Sequence, residues 1–328
     1  MSGVQHRTVR DDEGDLRLDR WFKRHFPALT HGRLEKLLRK GQVRVDGKRA
    51  KSNLRLEPGQ ELRIPPLPIS DEDPRPRSSH QAEPDRDLVQ SLLNGILYED
   101  KDVLVINKPA GVASQGGSGV TQHIDGALDV LKRGASERPK LVHRLDKDTA
   151  GVMVLARSAK AAAELTKAFR DRETQKLYWA IVVGCPEVPD GTIEGAVAKS
   201  EGPSGEQMKI VADAGKDAIT DFKVISSAAG KVSWLDLRPR TGRTHQLRVH
   251  CTGIGTAILG DGKYGGRTAF LADLPGAKTL HLFARSIRLS RSSKKALTVT
   301  APIPPHMVET FRYFGFEESE GEGLDSPS

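Results

Sequence analysis

Cysteine is almost absent from this chain. Cys185 and Cys251 are the only two in 328 residues, too few for a disulfide framework or a four-ligand zinc site, so stability has to come from ordinary cores. Long apolar runs are missing as well. Stretches such as Val103 to Asn107 and Gly151 to Ala156 stop far short of the roughly 20 residues that a membrane helix needs, and no membrane partner is expected. The first residues, MSGVQHRTVRDDEGD, lack the apolar core and small-residue cleavage site of a secretory signal, which makes a cytoplasmic location the expectation. The sequence also contains no GxSxG elbow, no HExxH run and no internal repeat, which argues against serine-hydrolase and zinc-protease chemistry.

What the chain does have is positive charge, unevenly spread. Lys and Arg number 51 against 43 Asp and Glu, a net of +8. Residues 1 to 64 hold 16 bases and 9 acids, and residues 93 to 316 hold 32 and 23. Between them, residues 65 to 92 hold 3 bases and 6 acids, and residues 317 to 328 hold five acids and no base. A solvated, lysine-rich surface explains a modest excess of charge. Its concentration into two blocks gives a polyanionic partner comparable weight.

The same boundaries suggest a domain division, and the length is enough for about two domains. A first domain is expected over residues 15–66 and a larger one over residues 95–316. Six of the nineteen prolines fall in residues 65 to 84, where missing amide donors and fixed backbone angles oppose helix and sheet. Residues 67–94 therefore read as a linker. The segment 317–328 has too little apolar surface to offset the entropy of ordering it, and a disordered acidic tail is expected.

In the first block, Leu18, Trp21, Phe22 and Phe26 recur at three- and four-residue steps and share one helical face. Thr30 can cap a second helix with Leu34, Leu37 and Leu38 on its apolar side, ended by Gly41. Its polar side carries Arg33, Lys36, Arg39 and Lys40. Asp46-Gly47 then supplies a two-residue hairpin turn, and Glu61 to Ile64 alternates as a strand should. This helix-helix-strand segment resembles the S-four-type RNA-binding domain. The resemblance implies phosphate contacts from Arg33, Lys36, Arg39 and Arg44; a solvated basic helix face is the simpler alternative.

In the second block, Tyr98 to Pro109 reads as a turn and a buried strand, and Gly116 to Gly119 as a flexible loop, without the lysine and spacing of a nucleotide-binding loop. The sharper signal is Leu141-Val-His-Arg-Leu-Asp-Lys-Asp-Thr-Ala-Gly151, in which His143, Arg144, Asp146 and Asp148 crowd into six positions. A metal site would need further ligands, and a hydrolytic His-Asp pair has no nucleophile elbow to serve. A structural salt-bridge cluster and a catalytic carboxylate among basic supports both remain open on physical grounds. Ser158 can cap an alanine-rich helix reaching about Arg172, and Lys176 to Val183 reads as a strand with Tyr178 on the face opposite Leu177, Trp179 and Ile181. Arg238 to His250 packs four arginines and two histidines around a helix expected from about Thr244 to Gly253. So many cations need an anion.

HRLDKDTAG at 143 to 151, KLYWAIVVG at 176 to 184 and TGRTHQLRVH at 241 to 250 together resemble the pseudouridine synthase family. Within it they resemble the branch of large-subunit ribosomal RNA synthases A, C and D, and RKGQVRVDGKRAK at 39 to 51, the PPL that follows at 65 to 67 and GGSG at 116 to 119 look most like the synthase C subgroup. Ala150 stands where the family pattern usually has Ser. The resemblance implies an α+β fold: a small S-four-type RNA-binding domain followed by a synthase domain with a mixed, mostly antiparallel sheet and flanking helices. It implies isomerisation of uridine in 23S ribosomal RNA with neither cofactor nor metal, by a monomer. Asp146 matches the family's reacting carboxylate, Arg248 the basic partner that pairs with it, and Tyr178 the aromatic residue that stacks on the uracil. Arg144 matches an arginine that fills the space left by the flipped-out base, Leu247 would complete the pocket wall, and Arg243 is expected to contact phosphate. Packing and hydrogen bonding are expected of His143, His245 and His250. Two alternatives stand beside this one, a synthase acting on transfer RNA and a catalytically silent RNA-binding factor of ribosome assembly.

Overall fold

A computed structural model describes residues 3–67, 85–117, 120–202, 205–211, 215–272, 274, 276–291 and 294–321. The chain divides into two compact units, residues 1–80 and 81–328, which are described in turn.

The first unit contains β1 (Gln5–Thr8), α1 (Leu18–His25), α2 (His31–Arg39), β2 (Arg44–Val45), β3 (Lys48–Arg49) and β4 (Glu61–Ile64). Its strands lie in the order β1-β4-β2-β3. Asp46 and Gly47 both take positive φ, 48° and 71°, as the tight β2–β3 turn requires. Leu18, Trp21 and Phe22 of α1 and Leu34 and Leu38 of α2 pack with Val43, Val45, Leu62 and Ile64. The unit starts earlier than the expected boundary at residue 15. Strand β1 pairs antiparallel with β4, from Gln5 opposite Ile64 to Thr8 opposite Glu61, and Val9 enters the core. A polar edge strand held by its backbone ladder has no hydrophobic alternation by which to be recognised. Below it, Glu13 is buried and accepts hydrogen bonds from Trp21 Nε1 at 2.9 Å and His25 Nε2 at 2.6 Å. Burial alone would raise the pKa of this carboxyl, but the bonds from Trp21, the Arg10 backbone, His25 and the Arg10 side chain hold it down at about 2.

Residues 68–84 of the expected linker lie outside the described residues. Its last part is not linker: α3 spans Arg86–Asn94, with the Asp85 carboxylate accepting from Asp87 N–H and Leu88 and Leu92 buried. No proline follows Pro84 there, and leucines four apart present one apolar stripe.

The second unit continues with β5 (Ile96–Glu99), β6 (Val103–Lys108), the single turn α4 (Ile124–Ala127), β7 (Lys140–Leu141), β8 (Ala150–Ala156) and α5 (Ala159–Arg170). Then come β9 (Gln175–Val183), β10 (Asp190–Gly202), β11 (Gly205–Val211), β12 (Lys216–Ala228), β13 (Val232–Pro239), α6 (Gln246–Gly253), β14 (Leu282–Arg291), β15 (Lys294–Thr300) and α7 (Pro305–Phe314). One eleven-stranded sheet runs β11-β10-β12-β13-β9-β14-β8-β6-β5, with β15 against β14 and β7 against β8. Among the described strands of this sheet only β8 and β14 pair in parallel, so the sheet is mixed and mostly antiparallel, as expected. No helix among the described residues is long and apolar enough to cross a membrane.

Strand period two divides the core. Trp179 and Ile181 of β9, with Trp234 of β13, face Phe311 and Phe316. Ala180 and Val182, with Leu235 and Leu237, face Leu247 and Cys251 of α6. Tyr178 belongs to the α6 side, which is where the cleft opens. The expected tail is partly ordered: residues Glu318–Gly321 form a 3-10 turn, Glu318 pairs with Arg285 at 2.8 Å, and buried Gly321 lies where a Cβ would collide with the rings of Trp179 and Trp234. A gap that only glycine fits leaves no trace in local composition. Residues 322–328 lie outside the described residues.

Candidate active site

Asp146 stands on the loop between β7 and β8, its side chain 28 % exposed. The loop is clamped from below. Ser114 Oγ donates to Leu145 C=O at 2.6 Å and accepts from Leu145 N–H at 3.0 Å, closing a two-way bond on the residue before Asp146. On the other side, the fully buried Lys108 donates to the carbonyls of Lys147, Pro109 and Val112 at 3.0, 2.8 and 2.7 Å. Burial pushes the Lys108 pKa down to about 7, opposed by the charges of Asp148 and Asp146. Three carbonyl acceptors need three N–H donors, so this geometry holds the ammonium form. Gly151 has φ 109°, and a Cβ there would collide with the Ala284 carbonyl where β8 meets β14; the glycine ending the HRLDKDTAG motif is required by that close approach.

His143 is part of this scaffold. Its Nε2 accepts the Val154 N–H at 2.8 Å and its ring stacks on Phe169 at 4.5 Å. Burial and the Lys176 charge push its pKa down to about 3, so it is neutral with the proton on Nδ1. His250 is wholly buried and pushed down to about 4, and neither ring nitrogen has a hydrogen-bond partner among the described residues. Packing is its observed role.

Asp146, Tyr178 and Leu247 line one cleft of about 750 Å³. The same cleft is lined by six cations, Arg144, Arg170, Arg172, Lys176, Arg240 and Arg243, and, among the described residues, by no carboxylate besides Asp146; Arg170 and Arg240 are paired behind the lining with Asp171 and Asp221. Arg144 is exposed, and Arg243 gives its Nε–H to the Asp217 carbonyl at 3.0 Å, leaving the tip of its guanidinium at the rim. Burial, then the nearby Asp146 charge, pushes the Tyr178 hydroxyl well above its ordinary value, so it stays a phenol at neutral pH. The TGRTHQ turn is fixed by Gln246, whose Oε1 accepts from Arg243 N–H and the Thr241 hydroxyl while its Nε2 donates to the Ile219 carbonyl and to Thr220 Oγ1.

Arg248 departs from expectation. It does not pair with Asp146; its Nε and Nη2 donate to Asp261 at 2.8 and 2.6 Å, with both side chains buried. Asp146 is near enough for its charge to help raise the Arg248 pKa, but no ion pair within 4.0 Å joins them among the described residues. The anion that the arginine-rich helix needed is thus Asp261. Gly260, at φ 82° and pressed so closely on the Thr279 carbonyl that no Cβ fits, turns the chain to deliver it. The signal lay in Gly260-Asp-Gly-Lys-Tyr-Gly265, a turn-forming run with a single carboxylate. Lys108 and Ser114 also escaped the sequence reading, although a lysine closing the apolar run of β6 is a visible anomaly. The group that approaches Asp146 is His245, with Nε2 3.9 Å from Oδ1.

In the first unit, Arg33, Lys36 and Arg39 stand on the exposed side of α2, without an acidic partner among the described residues. Arg44 braces its own turn, donating to the carbonyls of Gly41 and Gly47 at 3.1 and 3.0 Å.

Comparison with known proteins agrees with this architecture. Residues 102–252 match the family described as RNA pseudouridylate synthase, and residues 16–62 match the S4 domain. Ribosomal large subunit pseudouridine synthase C of Rickettsia typhi is 36 % identical over 295 residues, covering 88 % of this chain and 94 % of that protein. The protein of the same name from Vibrio cholerae is 33 % identical over 313 residues, covering 93 % and 95 %. The solved structure of human RNA Pseudouridylate Synthase Domain Containing 4 is 31 % identical, with a TM-score of 0.60 over 70 % of this chain and 96 % of that one. Matched over nearly its whole length, the chain belongs to the RNA pseudouridylate synthase family.

Proposed function

We propose that this protein isomerises uridines of large-subunit ribosomal RNA to pseudouridine, with Asp146 as the reacting carboxylate. The observation that carries the reading is the single carboxylate in a cleft whose other charged groups are six cations. Such a cleft attracts a phosphate backbone while presenting one oxygen nucleophile or base. The reaction breaks the bond from ribose C1′ to uracil N1, turns the base, joins C1′ to C5 and moves the C5 proton to nitrogen. Substrate and product have the same atoms, so no redox or group-donating cofactor is called for. A carboxylate beside the anomeric carbon suits either addition to C1′ or removal of the 2′ proton.

The uridine has to leave its stack to reach Asp146, at a cost of about a few kcal/mol. Arg144, two residues away and exposed, suits the role of occupying the space left behind. Tyr178 and Leu247 would hold the uracil between them. As a neutral phenol, Tyr178 suits stacking on the uracil; once the Asp146 charge is consumed in a bond to ribose, the phenol would ionise more easily. Arg33, Lys36, Arg39 and Arg44 of the first unit, with Arg243 at the cleft rim, would supply sequence-independent phosphate contacts. The protein would work as a monomer in the cytoplasm, where ribosomal RNA is matured. The relatives named for the large ribosomal subunit support ribosomal over transfer RNA.

The test is to map pseudouridines in ribosomal and transfer RNA from cells with and without the protein. Specific 23S sites should disappear and return on complementation with the wild-type chain. Loss confined to transfer RNA would replace the substrate, and no loss in either RNA would overturn the reading.

A further inference from the structure

Arg248 gives Nε–H and Nη2–H to Asp261 and reaches Asp146 through its charge; a second side chain that approaches the Asp146 carboxylate is His245. Its Nε2 lies 3.9 Å from Asp146 Oδ1, a gap that a modest side-chain rotation closes to a hydrogen bond. On the other side of the ring, Nδ1 is 2.6 Å from the Tyr264 hydroxyl oxygen. That oxygen accepts the Met208 N–H of β11 at 3.2 Å, and its own proton has Nδ1 as an acceptor at hydrogen-bond distance. Tyr264 then donates, Nδ1 accepts, and the imidazole proton resides on Nε2, facing Asp146.

We propose that His245 is a positioning residue that holds the Asp146 carboxylate through Nε2–H, and that Tyr264 fixes the tautomer that makes this possible. The proposal rests on the reading of Asp146 as the reacting group.

The surroundings favour the neutral, donating imidazole. Burial and the cations Arg248 and Lys263 lower the His245 pKa, while the carboxylates of Asp146 and Asp261 oppose them. Burial and the charges of Asp261 and Asp146 raise the Tyr264 pKa, against the Met208 bond and Arg248, which keeps it a proton donor. The ring of Tyr264 is itself held under the Arg248 guanidinium, 5.0 Å from its centroid, so the Arg248–Asp261 pair acts on the carboxylate at one remove. His245 sits at φ 55°, ψ 20°, in the left-handed region that histidine, like asparagine and aspartate, enters more readily than most side chains, which makes asparagine the control for the backbone.

Two near-isosteres separate the roles. Glutamine places its amide nitrogen about where imidazole Nε2 stands, whereas asparagine reaches only the Nδ1 position but tolerates left-handed backbone better. The experiment measures single-turnover isomerisation at saturating enzyme, and RNA affinity, for full-length His245→Asn, His245→Gln, Tyr264→Phe and Asp146→Asn. His245→Asn should lose about 10- to 100-fold in rate, with affinity within about threefold of wild type, and His245→Gln should recover much of that loss. Tyr264→Phe should be slowed in the wild-type background and add little to His245→Asn, since both cut the same connection. His245→Asn as fast as wild type, or faster than His245→Gln, would overturn the proposal in favour of a backbone role. If the two are equally slow, additive loss with Tyr264→Phe overturns it and non-additive loss supports it. Turnover retained by Asp146→Asn would instead remove the reading on which the proposal stands.

Discussion

Arg248 and Asp261 form a two-point ion pair, at 2.6 and 2.8 Å, with side-chain exposures of 7 % and 0 %. Neither charge has water to fall back on. Removing one partner of such a pair leaves a buried, uncompensated charge and costs about 3–5 kcal/mol. Arg248→Ala and Asp261→Ala should therefore both lower the unfolding midpoint markedly in denaturant titrations, with activity falling alongside. An Arg248→Ala protein of unchanged stability but abolished activity would mean that the guanidinium works on Asp146 after all.

Lys108 should be as intolerant of change. Lys108→Met keeps the aliphatic stem but strands three carbonyls, those of Pro109, Val112 and Lys147. Each buried acceptor left unsatisfied costs about 1–3 kcal/mol, so a loss of about 3 kcal/mol or more is expected. Because Lys147 follows Asp146 directly, single-turnover rate should drop at temperatures where the variant is still folded, while RNA affinity stays within a few-fold. Unchanged rate and stability together would show that Lys108 does not hold the loop.

Acid should act on the first unit through Glu13. Its pKa is about 2 when folded against an ordinary 4.5. A carboxyl whose folded pKa is depressed contributes stability that is fully present above its unfolded value and is lost as pH falls through the folded one. The contribution should therefore fade from about pH 4.5 down to about pH 2. Glu13→Gln should be less stable than wild type at pH 7 and flatter across that window when unfolding is followed as a function of pH. Parallel pH curves for the two proteins would exclude Glu13 as the source.

Much of this was legible in the sequence because it was local. The α1 and α2 stripes, the Asp46-Gly47 turn, the Ser158 cap and the alternation that puts Tyr178 opposite Trp179 are short-range patterns, and each formed as expected. The resemblance through HRLDKDTAG, KLYWAIVVG and TGRTHQLRVH placed Asp146, Tyr178 and Leu247 at one cleft. What escaped depends on contacts distant along the chain. Ser114 grips Leu145 across 31 residues, Lys108 reaches Lys147 across 39, and Asp261 takes Arg248 across 13. Strand β1 and the turn at Glu318–Gly321 are held by a backbone ladder and by a fit against two tryptophans. Neither leaves a periodic signal in its own residues.

The most direct test of the account is single-turnover formation of pseudouridine by Asp146→Asn. The change removes one charge and almost no volume from a cleft with six cations. With purified protein and a fragment of large-subunit ribosomal RNA containing a mapped site, Asp146→Asn should form no detectable pseudouridine while its RNA affinity stays within a few-fold of wild type. Substantial turnover by Asp146→Asn would contradict the assignment of Asp146 as the reacting group.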